Sequence, residues 1–243
     1  MFQKMLTSAV GAGAAAWLLA AMLHFAFVQE YILLGETYES GEAVHFGGLA
    51  QAEEAVAAEE PAEDPAMAEH AAPGDSETLS RDFWTVVFFG LVYVGYAMVL
   101  VAGFGLASAY GKRITAREGL LWGIAGFAVF QLAPAMGLAP ELPGALAADL
   151  TERQVWWWGT ALATGSGLAL LGYGRGVAAV LAGLALLAVP HVLGAPEPAS
   201  FGGVAPPEVA AAFTARVLGV ALVVWTVLGW IAGLLWSREA AGA

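Results

Sequence analysis

Six apolar runs, each long enough to cross a bilayer as a helix, constrain this chain more than any other feature. They lie at about Leu6–Val28, Phe83–Ala107, Gly119–Leu138, Val155–Tyr173, Val177–Leu193 and Phe213–Trp236. A helix of roughly 20 apolar residues covers the hydrocarbon core. Within that core every backbone N–H and C=O needs a partner from the chain itself, so runs of this length are helical. The expected fold is therefore an all-α, polytopic membrane helix bundle of about six transmembrane helices.

Composition agrees with this reading. Of 243 residues, 59% are hydrophobic and 12% charged, whereas a soluble domain carries roughly 25% charged residues. The 31 Gly and 9 Trp suit closely packed membrane helices with aromatic anchors at the interface. Lys4 precedes the first run as in a secretory signal. Met5–Leu23 is longer than the roughly 7–15-residue core of such signals, and no small-x-small site with a polar flank follows. The run is read as a retained helix. Gly174, Arg175 and Gly176 alone separate the fourth and fifth runs. These two runs are either a tight helical hairpin or one broken element, which leaves five helices as the alternative count.

Orientation follows from the cations. With the N-terminus inside, Lys4, Lys112, Arg113, Arg117, Arg175 and Arg238 are cytoplasmic, while Arg81, Arg153 and Arg216 lie outside. All of the 21 acids except Glu118 and Glu239 then lie outside as well. Six helices make both termini cytoplasmic and let every loop alternate. The expected organisation is a first transmembrane helix (1–28), an acidic extracytoplasmic loop (29–82) and a five-helix membrane bundle (83–243). Residues 47–80 form an Ala/Glu/Pro tract without Lys or Arg. Such a tract buries too little apolar surface to offset its ordering entropy and is expected to be mobile.

The four histidines, His24, His45, His70 and His191, all fall on the acidic side of this topology. Imidazole and carboxylate together suit divalent transition metals. The candidate metal ligands are His24, His191, Glu30, Glu36, Glu39, His45 and His70. His24 and His191 lead, because ionisable groups at the rim of a membrane segment carry function by default. Their spacing is no ligand signature: His24 and Glu30 lie about 240° apart around a helix. The acidic tract reads either as a cation-concentrating mouth or as a solubilising linker. Gln131 and Pro134 fall in the third run, where a proline frees a backbone carbonyl. They are candidate path-lining residues. Gly119-x-x-x-Gly123 and Gly229-x-x-x-Gly233 fit small-residue helix packing.

Several chemistries are excluded. The glycine spacing before Lys112 is wrong for a Walker A loop, and no zincin, Gly-x-Ser-x-Gly or EF-hand pattern occurs. With no cysteine, thiolate sites and disulfides are out. No basic patch suits nucleic acid. The chain is read as a non-enzyme with no bound cofactor.

The stretch Gly119-Leu-Leu-Trp-Gly-Ile-Ala-Gly-Phe-Ala-Val-Phe-Gln-Leu-Ala-Pro-Ala-Met-Gly-Leu-Ala-Pro-Glu-Leu-Pro-Gly144 resembles the CbtA family of predicted cobalt-transporter subunits. So do Ala148-Asp-Leu-Thr-Glu-Arg-Gln-Val-Trp-Trp157, Pro190-His-Val-Leu-Gly-Ala-Pro196 and Gly35-Glu-Thr-Tyr-Glu39. The resemblance spans nearly the whole chain apart from the acidic tract. It implies a multi-pass protein of the prokaryotic inner membrane that takes up cobalt (or nickel) for cobalamin synthesis. It also implies a CbtB-like partner, a small single-span subunit with histidines of its own. The family is usually described with five spans and a histidine-bearing loop. This chain departs in having six apolar runs and a first loop dominated by acids. The expected partners are lipid, a divalent metal ion and the CbtB-like subunit, with a homo-oligomer left open. The alternative is a non-transporting membrane scaffold or metal-sensing subunit.

Overall fold

A computed structural model describes residues 2–45 and 75–241. The expectations for residues 47–74, including His70, fall outside these described residues. Among them the chain is almost wholly helical. In chain order the helices are α1 (Phe2–Phe27), α2 (Gln29–Glu39), α3 (Asp75–Ala109), α4 (Ala116–Phe127), α5 (Leu150–Tyr173), α6 (Gly176–Leu193) and α7 (Pro207–Ala241). After α4 the chain runs on without a break through a π-helical turn, Ala128–Leu132, and one last α turn, Ala133–Ala135.

Local chemistry sets several of these ends. Thr115 caps α4 in a reciprocal box with Glu118, which satisfies donors that the first turn cannot pair internally. The Asp149 carboxylate accepts from the backbone N–H groups of Thr151 and Glu152 at the start of α5. Gly111, at φ +75°, turns the chain out of α3 in the left-handed conformation that glycine adopts freely. Pro134 supplies no N–H. The π-helical turn precedes it, with the Ala133 N–H reaching back to the Ala128 carbonyl. The helix accommodates the proline of the third run through a π-bulge, a feature common at functional positions.

Packing is by close approach of small residues. Ala9, Ala12, Ala16 and Ala20 of α1 are buried and share one core with Ala97, Val101 and Phe104 of α3 and with Val224, Trp225 and Leu228 of α7. α1 lies between α3 and α7, and α4 lies against α7. α5 and α6 form an antiparallel hairpin, with α5 meeting the rest of the bundle mainly at the π-helical turn. Large apolar side chains such as Leu18, Leu91, Leu162, Leu181 and Val223 point outward. In water such a surface would be a liability; in lipid it is the favourable exterior.

Five helices satisfy length and hydropathy for a membrane span: Gln3–Phe27, Thr78–Ala109, Ala116–Ala135, Gly176–Leu193 and Pro207–Arg238. α5 is absent from this set because Trp, Gly, Thr and Ser dilute its apolar content. It nevertheless runs alongside α6 for the full length of that helix. Trp156 donates to the Pro190 carbonyl at one end, Gly167 meets Gly183 in the middle, and Gly174 meets Ala179 at the turn. A slab that contains α6 also contains α5, in keeping with the six crossings expected from the sequence.

The contacts also fix which groups share an end. Lys4 lies over the Trp236 ring, and Lys112 lies over Tyr173. Trp122 donates to the Tyr173 hydroxyl. The two termini and the turns after α3 and α5 therefore occupy one end. At the other end Gln29 donates to Asp82, Arg81 pairs with Glu36, and Arg216 pairs with Glu30. Cysteines introduced singly at Arg113 and Glu197 are expected to react with a membrane-impermeant maleimide from opposite faces of oriented vesicles. Reaction of both from one face would contradict the six-crossing arrangement, and the chain's lack of cysteine removes background.

Candidate functional site

The acidic end is capped by an ordered connection between α4 and α5. Leu142 is buried against Val28 and Phe213, and it lies with Pro143 over Gly35. Thr214 donates to the Pro140 carbonyl. Ala145 pairs with Gly203 in an isolated bridge, and the Leu146 N–H bonds the Gly202 carbonyl. The same contacts explain α2, a helix within the stretch 29–82 expected to be an acidic loop. Tyr31 and Ile32 pack on the small apolar cluster built by Val28, Leu142 and Phe213.

Two cavities open at this end. The first, about 430 Å³, is lined by Phe130, Gln131, Pro134, Arg153, Gln154 and Trp157 among others. The second, about 470 Å³, holds Trp156, His191, Glu197 and Phe201 in its wall. Leu138, Ala139 and Glu141 line both. Glu141 accepts from Arg153 Nη2 at 2.9 Å. The wall between the cavities thus carries an ion pair.

The candidate ligands separate. His24 is half-buried between Phe25 and Phe89, with ring centroids 5.5 and 5.0 Å away. Glu30 and Glu36 are taken up by Arg216 and Arg81 at 3.5 and 3.2 Å. Glu39 is exposed on α2 beside the Gly144 turn. His45 sits in the turn after α2 at the edge of the described residues. His191 stands edge-on to Trp156 at 6.3 Å and faces the larger cavity. Among the described residues no three His, Asp or Glu side chains gather closely enough to hold a metal ion. Gln131 and Pro134 do share a cavity, and the Gln131 side chain lies against the Tyr96 hydroxyl. Sequence reasoning passed over Glu141 and Glu197. The available signal was an acid enclosed by prolines, as in Pro140-Glu-Leu-Pro143 and Pro196-Glu-Pro198.

Below the cavities the bundle is closed by aromatic packing. Trp225 stacks on Phe130 with centroids 5.6 Å apart and planes at 11°. Tyr96 and Trp157 flank this stack.

A helical bundle with five long apolar spans and an apolar exterior, and with carboxylates and imidazole facing cavities at one end, defines a multi-pass membrane protein of the transport-subunit class. A family model described as "Probable cobalt transporter subunit (CbtA)" matches residues 2–237, nearly the whole chain. The chain belongs to the CbtA family. Neither the curated proteins nor the solved structures contain a match to it.

Proposed function

We propose that this chain takes up cobalt from outside the prokaryotic inner membrane and that the ion enters at the cavity lined by His191, Glu141 and Glu197. The observation that carries this reading is the presence of one imidazole and two carboxylates in the wall of a single 470 Å³ cavity. Nitrogen and oxygen donors suit Co²⁺ better than Ca²⁺ or Mg²⁺, which prefer oxygen alone. The donors stand too far apart to wrap a bare ion, so the ion enters with part of its water shell. The neighbouring cavity at Gln131 and Pro134 is the next station. The lysine- and arginine-rich end is cytoplasmic under the positive-inside rule. The proposed role extends to supplying cobalamin synthesis beside a small CbtB-like subunit; the family resemblance supports both.

A second reading draws on the closed middle of the bundle. Around the Phe130–Trp225 stack the described core is mainly aromatic and apolar, its polar groups being neutral ones such as Gln131, Tyr96 and the buried Thr160 and Thr164. Transport paths usually place polar groups near the midplane. A subunit that binds metal and assembles with others, without a path of its own, fits this feature.

Radiolabelled cobalt uptake into vesicles, with and without the full-length protein and its partner, decides between them. Uptake above the empty-vesicle level is expected, with the initial rate at low cobalt falling about tenfold in His191→Ala and in Glu197→Gln, as loss of metal-site groups commonly does. Both side chains are at least partly exposed, so melting should stay near wild type. Equal uptake with and without the protein would overturn the transport reading, and retained cobalt binding would then support the second.

A further inference from the structure

Glu141 is the one carboxylate that lines both cavities, and it is already engaged. Arg153, in the first turns of α5, reaches it at 2.9 Å. The guanidinium side chain belongs to the cavity with Gln131 and Gln154, and it is absent from the lining of the one with His191 and Glu197. The Arg153 and Glu141 side chains are 28% and 34% exposed. A pair this accessible to water is held weakly. It can be exchanged, unlike a buried pair whose separation strands a charge.

We propose that Arg153 is a built-in competitor for the entering cation: it occupies Glu141 until a divalent ion displaces it, and so selects divalent over monovalent ions. The proposal rests on the reading of the His191 cavity as the metal entry. A monovalent ion that took Glu141 would exchange one positive charge for another and lose a charge-assisted hydrogen bond. A divalent ion brings twice the charge and finds His191 and Glu197 in the same wall. The competitor also lowers net affinity, which lets the ion leave the site again; conduction requires this of any binding site on its path. Arg153 acts through Glu141 and is therefore a positioning residue.

The test is titration of CoCl₂ into the full-length protein in lipid nanodiscs, repeated in sodium chloride and in a bulky-cation chloride of equal ionic strength. Arg153→Gln is expected to tighten cobalt binding about threefold to fivefold, matching the strength of a partly exposed ion pair. It should also make cobalt binding more sensitive to sodium than to the bulky cation. Glu141→Gln should weaken binding, and adding Arg153→Gln to Glu141→Gln should change nothing further, because the partner is gone. Arg153→Lys should restore much of the wild-type behaviour. Asp149 caps α5 independently, so the helix start does not depend on Arg153. Tightening that persists in the double variant would show a general charge effect and overturn the competitor. So would unchanged binding in Arg153→Gln while His191→Ala and Glu197→Gln weaken it. If neither His191→Ala, Glu197→Gln nor Glu141→Gln alters cobalt binding, the entry-site reading itself falls.

Discussion

Gly229→Ala is expected to lower the stability of the bundle by about 2–3 kcal/mol, the cost of forcing a methyl group into a packed contact. A Cβ at Gly229 would stand 2.5 Å from the Gly123 Cα and 2.6 Å from its nitrogen. The obstruction is backbone, which cannot rotate away as a side chain would. The seam continues along the same pair of helices, where a Cβ on Gly119 would stand 2.6 Å from the Gly233 Cα. Lipid tails are as apolar as leucine. Helix association in the bilayer therefore depends on close van der Waals contact, and glycine permits it. The melting midpoint in detergent should fall by roughly 5–10 °C for a chain of this size. Gly172→Ala and Gly219→Ala are the controls. A Cβ at either meets nothing within 4 Å, and the gain in helix propensity, about 0.5–1 kcal/mol, should hold or raise the midpoint. A Gly229→Ala protein that melts with the wild type would mean that α4 and α7 do not cross this closely.

Trp225→Ala should cost about 3–5 kcal/mol, the range for emptying a buried tryptophan site. The ring is 1% exposed, lies 4.7 Å from the Tyr96 ring and stacks on Phe130 of the π-helical turn. It fills the recess left by Gly126, where a Cβ would collide with the indole Cζ3 and stand 2.6 Å from its Cε3. Its Nε1 has no hydrogen-bond partner among the described residues. Trp225→Phe therefore loses packing without stranding an acceptor and should cost under about 1.5 kcal/mol. Chemical or thermal denaturation of the two variants side by side separates the contributions. Equal damage from Phe and Ala would show that the indole N–H holds a group this packing does not explain.

Hydropathy made α1, α3, α4, α5, α6 and α7 legible because each contains an apolar run long enough to select a helix across the bilayer. The hairpin turn at Gly174–Gly176 was legible as one of two alternatives; Gly176 at φ +78° closes it as a turn. α2 was hidden, since Gln29–Glu39 mixes acids with aromatics and shows its apolar face only against Leu142 and Phe213. The π-bulge was half visible. Pro134 marked a defect in the helix, but how the backbone absorbs that defect depends on the Phe130–Trp225 stack beside it.

The site divides in the same way. The histidines and acids were readable as a one-sided population, and Gln131 and Pro134 as neighbours in one stretch. Which of them meet was not readable. His24 packs on Phe89 of α3, whereas His191 packs on Trp156 of α5. Glu30 and Glu36 meet arginines distant in the chain, and Glu141 enters two cavities because the connection that carries it is pinned to α2 and α7.

By itself, then, the sequence determined that this is a helical membrane bundle, and it set the expectation that acids and histidines gather on one side. Transfer into lipid and the sidedness of charge are properties of each segment taken alone. Only the tertiary structure decided that α5 and α6 pack as a hairpin, that glycines seal α4 to α7, and that Arg153, Glu141, His191 and Glu197 line adjoining cavities. Those relations depend on distances between segments, which no single stretch of chain encodes.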